Sequence, residues 1–174
     1  MRLPAFSKRT ASIGKLQTRS ADSWASVREG TPRLFCDASM LIASAGSKTG
    51  ASALVLDLCR QGSCEAVCSR LVLLEAERNI KAKMEPHALL RFYHEIASLD
   101  LELVDAPTAD EIVAQRRIID PKDAHVLAAA LKGKTTFLLT FDRKHFMVPT
   151  VLEAGLPFSI MTPGDFLRYL ISQI

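Results

Sequence analysis

Five short apolar runs, within "RLFCDAS", "EAVCS", "LELVDA", "TFLLT" and "FSIMT", alternate along the chain with segments of helical periodicity. Strands separated by helices return to a sheet through crossovers rather than tight hairpins, so neighbouring strands run the same way. The order predicts an α/β fold, a sandwich built around a mostly parallel sheet. In such sheets ligands sit beyond the carboxyl ends of the strands. The residues that follow each apolar run are therefore the ones to read for chemistry.

The helical segments have recognisable ends. "SALVLDLCRQG" is closed by Gly62, and "RLVLLEAERNIKAKM" follows Ser69 as a plausible N-cap. A further helix opens on Pro86 and runs to about Leu99. "TADEIVAQRRII", the segment after Asp120 and the terminal "PGDFLRYLISQI" complete the set, while "ASAGSKTGAS" reads as a small-residue connector. No internal repeat is apparent. A chain of 174 residues suits one domain with a sizeable core.

The net charge of +3 hides a division. Residues 1–33 carry seven Lys/Arg against two acids, whereas the rest carries 15 against 17. With its Ser/Thr/Arg bias and no sustained periodicity, the segment 1–32 reads as a poorly ordered basic extension ahead of a domain over 33–174. A nucleic-acid-binding arm, a targeting arm or a start site set too far upstream would each look like this. The domain itself is slightly acidic, so overall charge does not argue for a nucleic-acid partner. No run reaches the ~18 apolar residues of a membrane span. Nor does the N-terminus hold a signal peptide's apolar core, and the expectation is a cytoplasmic protein. Cys36, Cys59, Cys64 and Cys68 lack a CxxC pair and read as buried reduced thiols rather than a zinc or disulfide set.

Four acids fall where the sheet rule directs attention. Asp37 ends the first strand, where an unpaired buried charge is costly and calls for a cap, a basic partner or a cation. Ser39 is a turn residue or orients Asp37 or a bound water. Glu75 shares a helix face with Leu71, Leu74 and Arg78, with a salt bridge to Arg78 or Arg70 as its bland explanation. Asp123 lies in the first turn of its helix, where Asp120–Pro121 reads as N-cap and first helical residue. Asp142 follows "TFLLT". Carboxylates converging in a cleft repel one another, and a divalent cation resolves the conflict. Oxygen donors without a His or Cys set favour Mg²⁺ or Mn²⁺, and metal-dependent phosphodiester hydrolysis is the chemistry such a site performs. His87, His94, His125 and His145 show no ligand spacing; His145 is the only one near a proposed acid. Lys122, Arg143 and Lys144 read as solvated charges or as phosphate contacts.

The blocks "LFCDASMLIAS", "SRLVLLEAERNI" and "DPKDAHVLAAALKGKTTFLLTFDRKHF" resemble those of the PIN-domain superfamily, nearest to small prokaryotic toxin components of toxin–antitoxin pairs. The likeness spans roughly Arg33 to Thr162. It places the family's acids on Asp37, Glu75, Asp123 and Asp142, with Ser39 and Asp120 at supporting positions. It implies a three-layer α/β/α sandwich, Mg²⁺- or Mn²⁺-dependent cleavage of single-stranded or structured RNA, a homodimer and neutralisation by a cognate antitoxin. Two features depart from the pattern: Phe141 stands before Asp142 where members often carry Gly, and the leading segment is long.

Two other classes compete with the nuclease. One is a non-catalytic RNA- or protein-binding module that keeps the fold and the acids. The other is a phosphoryl-transfer domain with Asp37 as nucleophile, which normally wants a second Asp where Ser39 stands or a Lys near the phosphate.

Overall fold

The structure, a computed structural model, describes residues 30–173; the expected N-terminal extension lies, as far as residue 29, outside the described residues. Strands β1 (Arg33–Cys36), β2 (Glu65–Ser69), β3 (Glu102–Val104), β4 (Phe137–Leu139) and β5 (Ser159–Met161) form one sheet in the order β3-β2-β1-β4-β5. Every pairing is parallel, with Phe35 opposite both Val67 and Leu138. Strand β1 lies at the centre and is buried along its whole length. A strand covered on both faces has no solvent side to alternate towards, hence the unbroken "RLFC".

The helices cover the two faces. Helices α1 (Ala38–Gly46), α2 (Ala51–Arg60), α3 (Arg70–Lys83) and α4 (Pro86–Ala97) pack together, and α9 (Pro163–Ser172) joins them through α2. Helices α5 (Ala109–Gln115) and α6 (Ala124–Lys132) pack as a separate pair. Right-handed crossovers put the two groups on opposite faces, because the chain moves outward through β2 and β3 and returns to β4. Two short helices, α7 (Arg143–Phe146) and α8 (Pro149–Leu152), link β4 to β5. Leu34, Phe35, Val67, Leu127, Leu138 and Phe166 are fully buried members of a single core. Among the described residues no helix is long and apolar enough to cross a membrane.

Strand order reverses between β1 and β4, which makes the carboxyl end of that pair the switch point where α/β sheets form a crevice. Asp37 directly follows β1 and Asp142 lies three residues past β4.

Two helix starts differ from the sequence expectation. Helix α1 begins at Ala38, so the first part of the expected connector is helical. Its Ala38, Met40, Leu41, Ser44 and Ala45 are all buried, and it packs on α2, α3 and α4. A short helix enclosed this way shows little amphipathic period, and its small residues admit close neighbours. A Cβ on Gly46 would sit 3.1 Å from Met84 Cε. Helix α6 begins at Ala124 rather than Pro121, since residues 121–123 form a turn. Asp120 stabilises that turn: its Oδ1 accepts from Lys122 N at 3.0 Å and its carbonyl from Asp123 N at 2.9 Å. The expected Ser69 cap on α3 does form, accepting from Val72 N at 3.3 Å. The four cysteines are buried and free.

Candidate metal centre at the carboxyl edge of the sheet

Asp37 is the N-cap of α1 and only 6% exposed. Its Oδ2 accepts from Ser39 Oγ at 2.7 Å, Ser39 N at 3.3 Å and Thr140 Oγ1 at 2.8 Å. All three donors are gathered on one oxygen, and among the described residues none is directed at Oδ1. Thr140 also accepts from Asp142 N at 3.0 Å, and Ser39 Oγ accepts from Phe141 N at 2.9 Å. Two hydroxyls thus tie the end of β1 to the turn after β4. Thr140 escaped the sequence reading because the last residue of an apolar run passes for scaffold. The signal was its position, a hydroxyl closing a strand two residues before an acid.

Asp123, Asp142 and His145 form the compact cluster, their ligand atoms all within 4.8 Å of one another. Asp123 occupies the N-cap position of α6 but makes no side-chain cap bond, so its carboxylate is not engaged by its own helix. Its Oδ2 is buried and lacks a hydrogen-bond partner. Such an oxygen is expensive to bury alone and marks a place for a cation or a donor. The basic side chains beside it are His145, with Nδ1 at 3.8 Å, and Lys122, with Nζ at 3.9 Å. Asp142 caps α7, with His145 N donating to Oδ1 at 3.2 Å and His145 Nδ1 lying 2.7 Å from Oδ2.

Asp37 and Glu75 are not members of that compact cluster, though both lie within electrostatic reach of it or of each other. Burial raises the Glu75 carboxyl above its ordinary range, and the charges of Asp37 and Asp123 raise it further against opposition from His125 and Arg78. Burial likewise raises Asp123; Lys122 and His145 counter it, while Asp142 and Asp120 add to it. Among the described residues Glu75 forms none of the ion pairs expected with Arg78 or Arg70. It borders a cleft of about 830 Å³ lined also by Leu71, Leu74, Arg78, Lys81 and His125. His145 is therefore not the only histidine near a proposed acid: His125, two residues after Asp123, shares the cleft with Glu75. Asp120 stands at the exposed rim in its turn.

Carboxylates raised by burial, one orphaned oxygen and mostly oxygen donors fit a hard divalent cation, and the Asp123–Asp142–His145 group is consistent with a metal site. What the arrangement offers is two acids on loops that the Ser39 and Thr140 hydroxyls hold together. The other two come from helices α3 and α6.

Comparison with known proteins agrees with this architecture. The structure resembles the crystal structure of PAE2754 from Pyrobaculum aerophilum, at 18% identity and a TM-score of 0.53, over 83% of this chain and 94% of that one. It also resembles the Mycobacterium tuberculosis VapC20 structure, described as a sarcin–ricin loop cleaving toxin. There the identity is 18% and the TM-score 0.45, over 71% of this chain and 95% of that one. Comparison with curated protein sequences returns no match. A family model described as the PIN domain matches residues 33–144, from the first residue of β1 through the acid-bearing turn after β4. With that match covering more than half of the sequence and all four acids, this chain belongs to the PIN-domain family.

Proposed function

We propose that this protein is a divalent-metal-dependent ribonuclease that hydrolyses RNA phosphodiester bonds, and the toxin component of a toxin–antitoxin pair. Asp37, Glu75, Asp123 and Asp142 hold Mg²⁺ or Mn²⁺ directly or through water, with Ser39 and Asp120 supporting them. The observation that carries the reading is the buried, unpartnered Asp123 Oδ2 beside Asp142, with Glu75 within electrostatic reach of Asp123 and of Asp37. Held by these residues, a divalent cation would supply an activated water and offset charge on the phosphate oxygens. Ser39 and Thr140 fix the Asp37 carboxylate by their hydroxyls, and His145 fixes that of Asp142.

Purified protein is expected to cleave RNA with Mn²⁺ or Mg²⁺, and both EDTA and Asp37→Asn to abolish cleavage. Activity that survives both treatments sinks the metal mechanism. The toxin assignment adds a cognate antitoxin and a homodimer; co-expression with the protein encoded beside it, followed by activity measurement, tests neutralisation.

One observation favours the second reading, a non-catalytic RNA- or protein-binding module. His145 Nδ1 at 2.7 Å from Asp142 Oδ2 gives that carboxylate a hydrogen-bond partner from within the chain, so that it is engaged without a metal. Calorimetric titration separates the two. The nuclease reading expects saturable Mn²⁺ binding lost in Asp37→Asn; the module expects RNA binding without metal and without turnover.

A further inference from the structure

Phe141 is an exposed aromatic ring held beside the acids. It is 44% exposed, whereas Phe146, five residues later, is 2% exposed and belongs to the core. Among the described residues no other aromatic ring packs against Phe141, and it is absent from the side chains that support the core. Scattered exposed apolar residues are ordinary on protein surfaces. Phe141 differs from Leu90 or Ile171 in its backbone. Its N–H donates at 2.9 Å to the Ser39 hydroxyl that itself holds Asp37 Oδ2, and its carbonyl accepts from Arg143 N at 2.9 Å. The Cα is thereby fixed one residue from Asp142, on the network that positions Asp37.

The charges around it are complementary to a polyanion. Arg143 and Lys144, two and three residues on, are exposed and, among the described residues, enter no ion pair. Lys122, also exposed, reaches to 3.9 Å from Asp123 Oδ2. An exposed apolar ring one residue from Asp142, with exposed cations close by in the chain, suits one kind of ligand. That ligand is a nucleotide strand, with base on ring, backbone along the cations and one phosphate over the acids.

We propose that the Phe141 ring is a stacking platform for an unpaired nucleobase next to the phosphate that lies at the acid cluster. The proposal rests on the ribonuclease reading for the phosphate's place. A base inside a duplex has both faces covered by its neighbours, so the platform selects single-stranded or loop-presented RNA over paired RNA. Phe141 acts as a specificity-determining residue and takes no part in holding the metal.

The test uses the full chain in a Trp24→Phe background, where Phe141→Trp supplies the single indole. A short oligoadenylate is expected to quench that indole, and a blunt duplex of equal length to leave it unchanged. In steady-state cleavage Phe141→Ala raises KM for unpaired RNA about tenfold, the scale of one lost base stack. Its kcat and its calorimetric Mn²⁺ affinity stay near wild type, and Phe141→Tyr restores KM. Quenching in a protein that cleaves nothing leaves the platform standing and removes the nuclease reading. Cleavage with KM unchanged in Phe141→Ala overturns the platform and spares the nuclease. Absence of quenching while the oligonucleotide binds overturns it, as does binding of no oligonucleotide at all. So does a Phe141→Ala variant whose RNA affinity is intact but whose oligomer dissociates, since the ring is then a protein contact.

Discussion

The two ends of the parallel strands treat carboxylates in opposite ways. At the amino edge Glu65 and Glu102 begin β2 and β3, and the buried Arg33 that begins β1 reaches both with its side chain. Its guanidinium is 2.6 Å from Glu65 Oε2 and 3.0 Å from Glu102 Oε2, and donates to the Gly133 carbonyl at 2.7 Å. At the carboxyl edge Asp123 and Asp142 lie beside the His145 imidazole and, farther off, the exposed Lys122, while Glu75 has His125 and Arg78 within electrostatic reach but no ion pair among the described residues. The first set is paired to a buried guanidinium, whereas in the second, among the described residues, Asp123 Oδ2 is buried without a hydrogen-bond partner. Buried acids alone are thus no mark of function; what marks it is burial without a matching cation.

Breaking the amino edge should have the largest effect on stability. Arg33→Ala strips two partly buried glutamates of their partner and leaves the Gly133 carbonyl without its donor. Removing one side of a buried pair costs about 3–5 kcal/mol. Chemical denaturation of the full chain should show that loss, with Mn²⁺ affinity of the surviving folded protein unchanged. A variant as stable as wild type would mean that the amino edge is not held by its charges.

The next effect sharpens the carboxyl edge. A ligand that binds only the folded state stabilises it by about 2.7 kcal/mol at a hundred times its dissociation constant. Thermal unfolding in Mn²⁺ at such excess should therefore lie well above unfolding in EDTA, and Asp37→Asn should erase most of the difference. Equal melting temperatures for wild type with and without Mn²⁺ would leave the orphaned Asp123 oxygen unexplained by a cation.

Thr140→Val tests the hydroxyl network that sequence reading missed. The substitution keeps shape but removes the donor to Asp37 Oδ2 and the acceptor for Asp142 N. Loss of a supporting hydrogen bond of this kind lowers metal affinity about 10–100-fold. Isothermal titration with Mn²⁺ measures it directly. An unchanged affinity would show that Ser39 alone suffices to hold Asp37.

These contrasts explain what was legible in the sequence. The strand–helix alternation and the carboxyl-edge rule placed Asp37 and Asp142 at the switch point, because both depend on local runs and their ends. Helix α1 was hidden because it is enclosed by α2, α3 and α4, so its small residues carry no solvent-facing period. The α6 boundary shifted because Asp120 and Pro121 serve a turn of their own, leaving the Asp123 carboxylate free of capping duty. Thr140 and Arg33 act through partners about a hundred or several tens of residues away. No local pattern encodes such pairings; they appear only once the strands are in register.

The smallest effect concerns pH and divides the two edges most directly. Burial first, then neighbouring acids, raise Glu75 and Asp123 above their ordinary carboxyl range. Between the unfolded values, near pH ~4, and the raised folded ones, the folded protein holds more protons than the unfolded chain. In EDTA these two groups therefore make stability fall as pH rises through that interval. Asp123→Asn removes one contributor and should flatten the slope, with metal-free protein melting slightly higher at neutral pH and binding Mn²⁺ more weakly. A substitution that stabilises the empty protein while weakening its metal is the signature of an acid kept for a ligand. Were Asp123→Asn to lower the metal-free melting temperature instead, the carboxylate would be a structural partner like Glu65, and the two edges would differ in degree rather than in kind.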